Sequence, residues 1–167
     1  MAWLEGMNEV LRNLNKEIKN IEGRTESGMI RAAIQVRRDM EKTPPIIPVD
    51  TSNLRASWFI ITRSGRGATP TPTFSNVSKT TGERRSVDTQ QMRANHERVT
   101  QKAYSEVKQY KYPVLIMGFS ASYATEVHED MTKKRKRPGS GPKFLEQSLI
   151  RNRSYILKVI REEARIK

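Results

Sequence analysis

Apolar residues recur at three- and four-residue steps from the first turn of the chain: Trp3, Met7, Val10, Leu11, Leu14, Ile18 and Ile21. Asn8, Arg12, Asn15, Lys16 and Lys19 fall on the other side, so residues 3–22 read as an amphipathic helix. Gly23 interrupts the pattern, and Thr25 or Ser27 is placed to cap a restart. A second helical pattern runs from about Ser27 to Lys42, with Ile30, Ala33, Ile34, Arg37 and Met40 on one side and Val36 beside it. Two helices and one kinked helix both fit. Pro44 and Pro45 end the segment, because proline lacks the N–H and pushes the preceding residue out of helical geometry.

The pattern then changes period. Asp50, Thr51, Ser52 and Asn53 have short side chains that bond nearby backbone, the chemistry of turns and caps. Leu54 and Trp58 are spaced to point inward, and Ser57 to Arg63 reads as a strand. Residues 64–82 form a long Ser/Gly/Thr/Pro loop carrying Phe74 and Val77. Residues 88–111 predict an exposed helix capped by Asp88, with sparse apolar positions at Met92, Val99, Ala103 and Val107. The most apolar run, Tyr112 to Phe119, is a second strand, so 64–112 is an insertion between two strands of one sheet. Ser120 to His128 starts as a turn and becomes a short helix, with Tyr123, Ala124 and Val127 on one side. Pro142 suits the first turn of a last helix from about Lys143 to Arg165, where Leu145, Leu149, Ile156 and Ile160 line one side, with Phe144, Leu157 and Val159 widening it. The expected architecture is a single α+β domain over 1–167. A small antiparallel sheet packs against an N-terminal helical segment and a long C-terminal helix.

Composition adds a charge question. Formal net charge is +13, and residues 131–167 hold twelve Lys/Arg against three Asp/Glu. The run Lys133, Lys134, Arg135, Lys136 and Arg137, followed by Pro-Gly-Ser-Gly-Pro, reads as an exposed loop. It is a candidate contact for a partner's acidic surface or for DNA, weighed against a plain solvated loop. Few aromatics accompany the cations, which speaks against base stacking. The chain has no cysteine, which excludes disulfides and thiolate metal sites and fits assembly in a reducing cytosol. No apolar run approaches bilayer-spanning length, and the first residues lack a signal-peptide layout.

Catalytic chemistry is hard to find. His128-Glu129 would open a zinc-protease helix motif only with a second histidine at position 132, which is threonine. The other histidine, His96, lies far off in the insertion, and both are expected as satisfied surface histidines. Gly139 to Lys143 lacks the spacing of a phosphate loop, and Pro142 removes a needed backbone donor. Acid pairs such as Glu162-Glu163 are adjacent on a helix and do not face each other. Neither an enzyme nor a bound cofactor or metal is expected.

The segment Pro48-Val49-Asp50-Thr51-Ser52-Asn53-Leu54-Arg55-Ala56-Ser57 resembles the P-hydrophobe-D-T-G-N-L-R-x-S signature of tailed-phage neck proteins, the head–tail joining, tail-completion, minor tail or minor capsid family. Ser122 to Glu129 is similar to that family's Y-A-x-x-V block, and Gly141 to Glu146 to its K-F-L-E start of a C-terminal helix. The resemblance covers roughly 27–160. Ser52 stands where the family usually has glycine, so an Asn53-centred turn is expected to replace a positive-φ one. The long polar insertion is a second departure. The resemblance implies a scaffold without an active site, built on Asp50, Thr51, Asn53, Leu54, Arg55, Ser57, Tyr123, Ala124, Phe144 and Leu145, with Tyr123 and Phe144 packing across the sheet end. It also implies a virion protein at the head–tail junction, assembled in the host cytoplasm. There it would form a homo-oligomeric ring, a hexamer with a dodecamer as the alternative, between portal-side and neighbouring neck proteins and the tail-terminator or tail-tube proteins. The insertion would be an arm reaching a neighbour, and no membrane partner is implied. A basic nucleic-acid-binding domain acting through phosphate contacts is the alternative, although no helix-turn-helix, zinc-finger or RNA-recognition motif accompanies the charge. Neutralising residues 133–137 is expected to spare the fold and harm assembly alone.

Overall fold

The computed structural model describes residues 2–49, 52–65, 71–77, 82, 88–132 and 135–166, with side chains from Gly6 onward. Asp50, Thr51, Lys133 and Lys134 lie outside the described residues.

The N-terminal pattern is one helix, α1 (Ala2–Lys42), unbroken at Gly23. The two hydroxyls placed to cap a restart bond backward instead. Thr25 donates to the Ile21 carbonyl at 2.8 Å and Ser27 to that of Gly23 at 2.9 Å. Hydroxyls bonded back to the i−4 carbonyl sit inside a continuing helix instead of capping a new one, a placement that tends to bend a helix rather than break it. Glycine in a helix costs about 1 kcal/mol relative to alanine, and at Gly28 close packing explains it. A Cβ there would stand 3.0 Å from the Ile160 Cα.

The C-terminal helix, here α5 (Phe144–Ala164), runs antiparallel along the second half of α1. Near its start, Ser148 donates to the Val36 carbonyl at 3.0 Å and to Asp39 at 2.7 Å. Arg151 bonds Asp39 and also caps the end of α1 through the carbonyls of Thr43 and Pro44. Near its end, Val159, Ile160 and Glu163 close over Gly28, and Glu163 pairs with Arg31. Burial alone would raise the Asp39 carboxyl. Hydrogen bonds from Ser148, Thr43 and Arg151 outweigh it and hold the carboxyl below its ordinary range.

Between these helices and the rest lies a two-stranded antiparallel sheet of β1 (Trp58–Thr62) and β2 (Leu115–Phe119), in register from Trp58↔Phe119 to Thr62↔Leu115. Strand alternation sends Trp58, Ile60, Leu115, Met117 and Phe119 to one face, where they join Val36, Met40, Ile47, Leu54 and Phe144 in the core. The other face carries Phe59, whose ring lies over Gly118 at 3.4 Å from where a Cβ would be. It is covered by α3 (Thr89–Val107), capped as expected by Asp88, which accepts from the Gln90 and Gln91 N–H groups. The α+β arrangement anticipated from the pattern is the one observed, with a helix layer on each face. The described part of the insertion is built into the body: Phe74, Ala103 and Val107 are buried.

Two short helices complete the elements among the described residues, α2 (Asn53–Ala56) and α4 (Ala124–Glu129). Pro142 precedes α5 rather than starting it. Lys143 occupies the cap position in left-handed conformation (φ 57°), and its N–H bonds the His128 carbonyl at 2.7 Å. Among the described residues no helix is long and apolar enough to cross a membrane.

Candidate functional site

The signature segment sits at the junction of α1, the sheet and the insertion. Ser52 itself takes the positive φ, 72°, so the turn is not recentred on Asn53. A non-glycine residue held there costs on the order of 1–2 kcal/mol, which the surrounding bonds must over-determine. Asn53 is buried and grips the insertion. Its Nδ2 donates to the Ser75 carbonyl and its Oδ1 accepts from the Ser75 N–H, both at 2.7 Å. One side chain thus does for the loop what a neighbouring strand would do, satisfying both groups of one residue's backbone.

The next residues fasten the other elements. Leu54 enters the core. Arg55 pairs with Glu41 of α1 at 2.8 Å, and Arg37 pairs with the same carboxylate at 2.9 Å while donating to the Arg55 carbonyl at 3.0 Å. The Arg37 guanidinium lies 5.5 Å from the Trp58 ring centroid and 6.0 Å from that of Phe119, a doubly aromatic setting for a cation. Burial pushes its pKa below the ordinary guanidinium value and nearby Arg55 adds to this, with Glu41 opposing. Ser57 is fully buried. Its hydroxyl closes α2 onto the Leu54 carbonyl at 2.8 Å. Its carbonyl accepts from the Ser120 N–H at 2.9 Å and from the Ser120 hydroxyl at 3.3 Å, extending the sheet ladder by one step.

That ladder step leads to a residue the sequence pattern assigned to the surface. His96 is buried, its Nδ1 is 2.8 Å from the Ser120 Oγ, and its ring meets Phe59 and Phe74 edge-on at 6.3 Å. Burial lowers its pKa, keeping the imidazole neutral. The signal was present in the sequence. Position 96 fills the missing step between Met92 and Val99 in the α3 stripe, but a lone histidine among polar residues does not register as apolar.

The second and third blocks meet each other. Phe144 is fully buried and packs edge-on against Phe119 (5.7 Å) and His128 (4.9 Å). Glu129 pairs with Lys143, which lowers the Glu129 carboxyl and raises the Lys143 ammonium from their ordinary values. Ala124 and Leu145 pack at the edge of the core. Tyr123 stands at the N-cap of α4 and is partly exposed at the surface, while Phe144 is the fully buried ring at the sheet end.

The basic loop is not uniform. Arg135 donates to the carbonyls of Val127 (2.8 Å) and Asp130 (2.9 Å), closing the C-terminus of α4. The Arg137 carbonyl accepts from Ser140, and beyond it Ile46 and Ser140 form an isolated parallel bridge. Lys136 is exposed. Neutralising all five positions would therefore remove a cap along with the charge, so sparing the fold is not expected. Among the described residues no three His, Cys, Asp or Glu side chains gather as a metal-binding group. Comparison with protein-family models, with curated proteins and with solved structures returns no match.

Proposed function

We propose that this chain is a structural virion protein of a tailed phage, forming a ring in the neck that joins the DNA-filled head to the tail. It acts by assembly rather than by catalysis. The observation that carries this reading is the convergence of the three neck-like blocks on one joint. Asn53 and Ser57 hold the insertion and β2, Ser120 leads into the second block, and Lys143 and Phe144 close the third block onto His128. These bonds tie together α1, the sheet and α5, and fixed angles between those elements are what a ring subunit requires. The partners on this reading are other copies of the chain, in six-fold or twelve-fold order, with portal-side and tail-side proteins above and below.

The test is loss of the gene in the phage genome that encodes it. The expected result is filled heads and separate, complete tails in electron micrographs, with joining restored by the purified protein. Tailed, infectious particles without the chain would overturn the reading.

The net charge of +13 favours one alternative, a nucleic-acid-binding domain acting through phosphates. Tight DNA binding by the monomer that weakens steeply with salt would select it. Weak binding together with particle-dependent assembly selects the neck.

A further inference from the structure

The first half of α1 projects from the body. Gly28 already lies against the last turns of α5, so residues N-terminal to about 22 run beyond the end of that helix. Every residue from Gly6 to Lys16 is exposed. The apolar stripe is exposed with the rest: Met7 51%, Leu11 49%, Leu14 55% and Ile18 45%. These four, with Ile21 following, keep alternating steps of four and three, the spacing of a helix that packs against another helix. An unaccompanied helix of this length is marginal in water.

A second exposed stripe lies on the outer side of α5. Ile150 (60%) and Leu157 (54%) stand seven residues apart, with Arg153 and Arg161 one turn before and after Leu157. Met7 to Ile18 spans about 16 Å and Ile150 to Leu157 about 10 Å, at 1.5 Å per residue, so the α5 stripe would cover Leu11 to Ile18 of the projecting one. They cannot meet within one molecule, because α1 is continuous and leaves α5 at its far end.

Charge selects the occupant. Residues 2–22 carry three Lys/Arg and four Asp/Glu, whereas the rest of the chain carries twenty-eight and fourteen. The projecting half carries no cationic excess, and Glu17 beside its stripe is held by Arg24 at 2.7 Å within the same helix, so the contrast with the α5 arginines rests on the segment's overall balance. A like-with-like pairing of two projecting helices leaves the α5 stripe and its arginines uncovered. We propose that the projecting half of α1 docks on the outer face of α5 in a second copy of this chain, head to tail, with Leu11, Leu14 and Ile18 against Ile150 and Leu157. Such a contact is heterologous, so it propagates until a ring or filament forms. Single stripes of this size fall below the roughly 1,200–2,000 Å² of a stable pairwise interface. Association is therefore weak per contact and strengthened when a ring closes. This proposal goes beyond the neck reading and does not depend on it.

The full-length protein, Leu14→Lys and Leu157→Lys are compared by sedimentation over a hundredfold concentration range, with circular dichroism as the check on folding. Both substituted positions are exposed, and Leu14→Gln and Leu157→Gln serve as second variants. The wild type is expected to pass from its 19.2 kDa monomer to multiples of that mass, and each variant to remain monomeric. An equimolar mixture of the two Lys variants retains one intact pair of faces and cannot close a ring, so it is expected to form nothing larger than a weak dimer of one of each, and that only at the top of the concentration range. A wild type that stays monomeric throughout overturns the proposal. So does a Leu157 variant that still dimerises, which would mean two projecting helices pair with each other, or a mixture that grows beyond a dimer. Self-association with heads and tails still joined in the absence of the chain would sink the neck reading and leave this one standing.

Discussion

The two halves of α1 share one periodicity and meet opposite fates. From Ser27 to Lys42 the stripe is covered, with Val36 and Met40 essentially fully buried and Gly28 pressed against α5. From Gly6 to Lys16 equally apolar side chains stand in solvent. The difference does not lie in helix propensity or amphipathicity. It lies in the 21-residue length of α5, which covers about half of a 41-residue partner. An amphipathic pattern states that a face seeks a partner, and the tertiary arrangement decides whether that partner belongs to the same molecule.

Paired substitutions break the comparison most directly. Leu54→Ala, beneath the covered half, is expected to cost about 2–5 kcal/mol through lost burial and a cavity, and Leu54→Asp to prevent soluble folding. Leu14→Ala, at the same residue type on the projecting half, should change the unfolding free energy of the monomer by less than about 0.5 kcal/mol. Urea melts at low protein concentration measure both, and equal effects would mean that the projecting half is covered in the monomer.

The glycines provide a second pair. Gly28→Val forces a side chain into the Ile160 backbone and is expected to destabilise by about 1–3 kcal/mol. Gly6→Ala meets nothing within 4 Å and should raise helicity and stability slightly, by at most about 1 kcal/mol. Thermal melts followed by circular dichroism will show opposite signs if the two halves differ as described.

Within the body, Asn53→Ala removes both bonds to Ser75 and leaves that backbone unpaired, for an expected loss of about 1–3 kcal/mol. Hydrogen exchange should locate the loosening at the insertion, with the Gly6–Lys16 half of α1 unchanged.

The smallest effect is titratable. The folded-state pKa of His96 is depressed, so the unfolded chain binds the proton more tightly. The stabilising contribution is complete above the ordinary imidazole value of about 6.5 and is lost as pH falls from there toward the folded-state pKa. Stability measured from pH 7 to 5 should decline in the wild type and decline less in His96→Gln. Asp39 acts lower, its contribution being lost as pH falls below the ordinary carboxylate range of about 3.9.

Much of the joint was legible because it is local. Short polar side chains after a proline pair mark a turn, and Leu54 and Trp58 announce themselves as core. His96, Ser120 and Arg135 were not legible in their roles. Each is a polar residue whose partner lies elsewhere in the fold or in an irregular loop, and polarity alone reads as exposure. Tyr123 reads as an inward aromatic in the sequence and lies more at the surface than Phe144 in the fold.

The sequence by itself determined where helices and strands form, the pairing of two strands around an insertion, and the α+β class. Periodicity and turn chemistry act over a few residues, so they are written into neighbours along the chain. Only the tertiary structure decided that α1 continues through Gly23, that the insertion covers the second face of the sheet, and that half of α1 is left without a partner. Those outcomes depend on which surfaces meet and how far each helix reaches, and neither quantity is encoded in a local pattern.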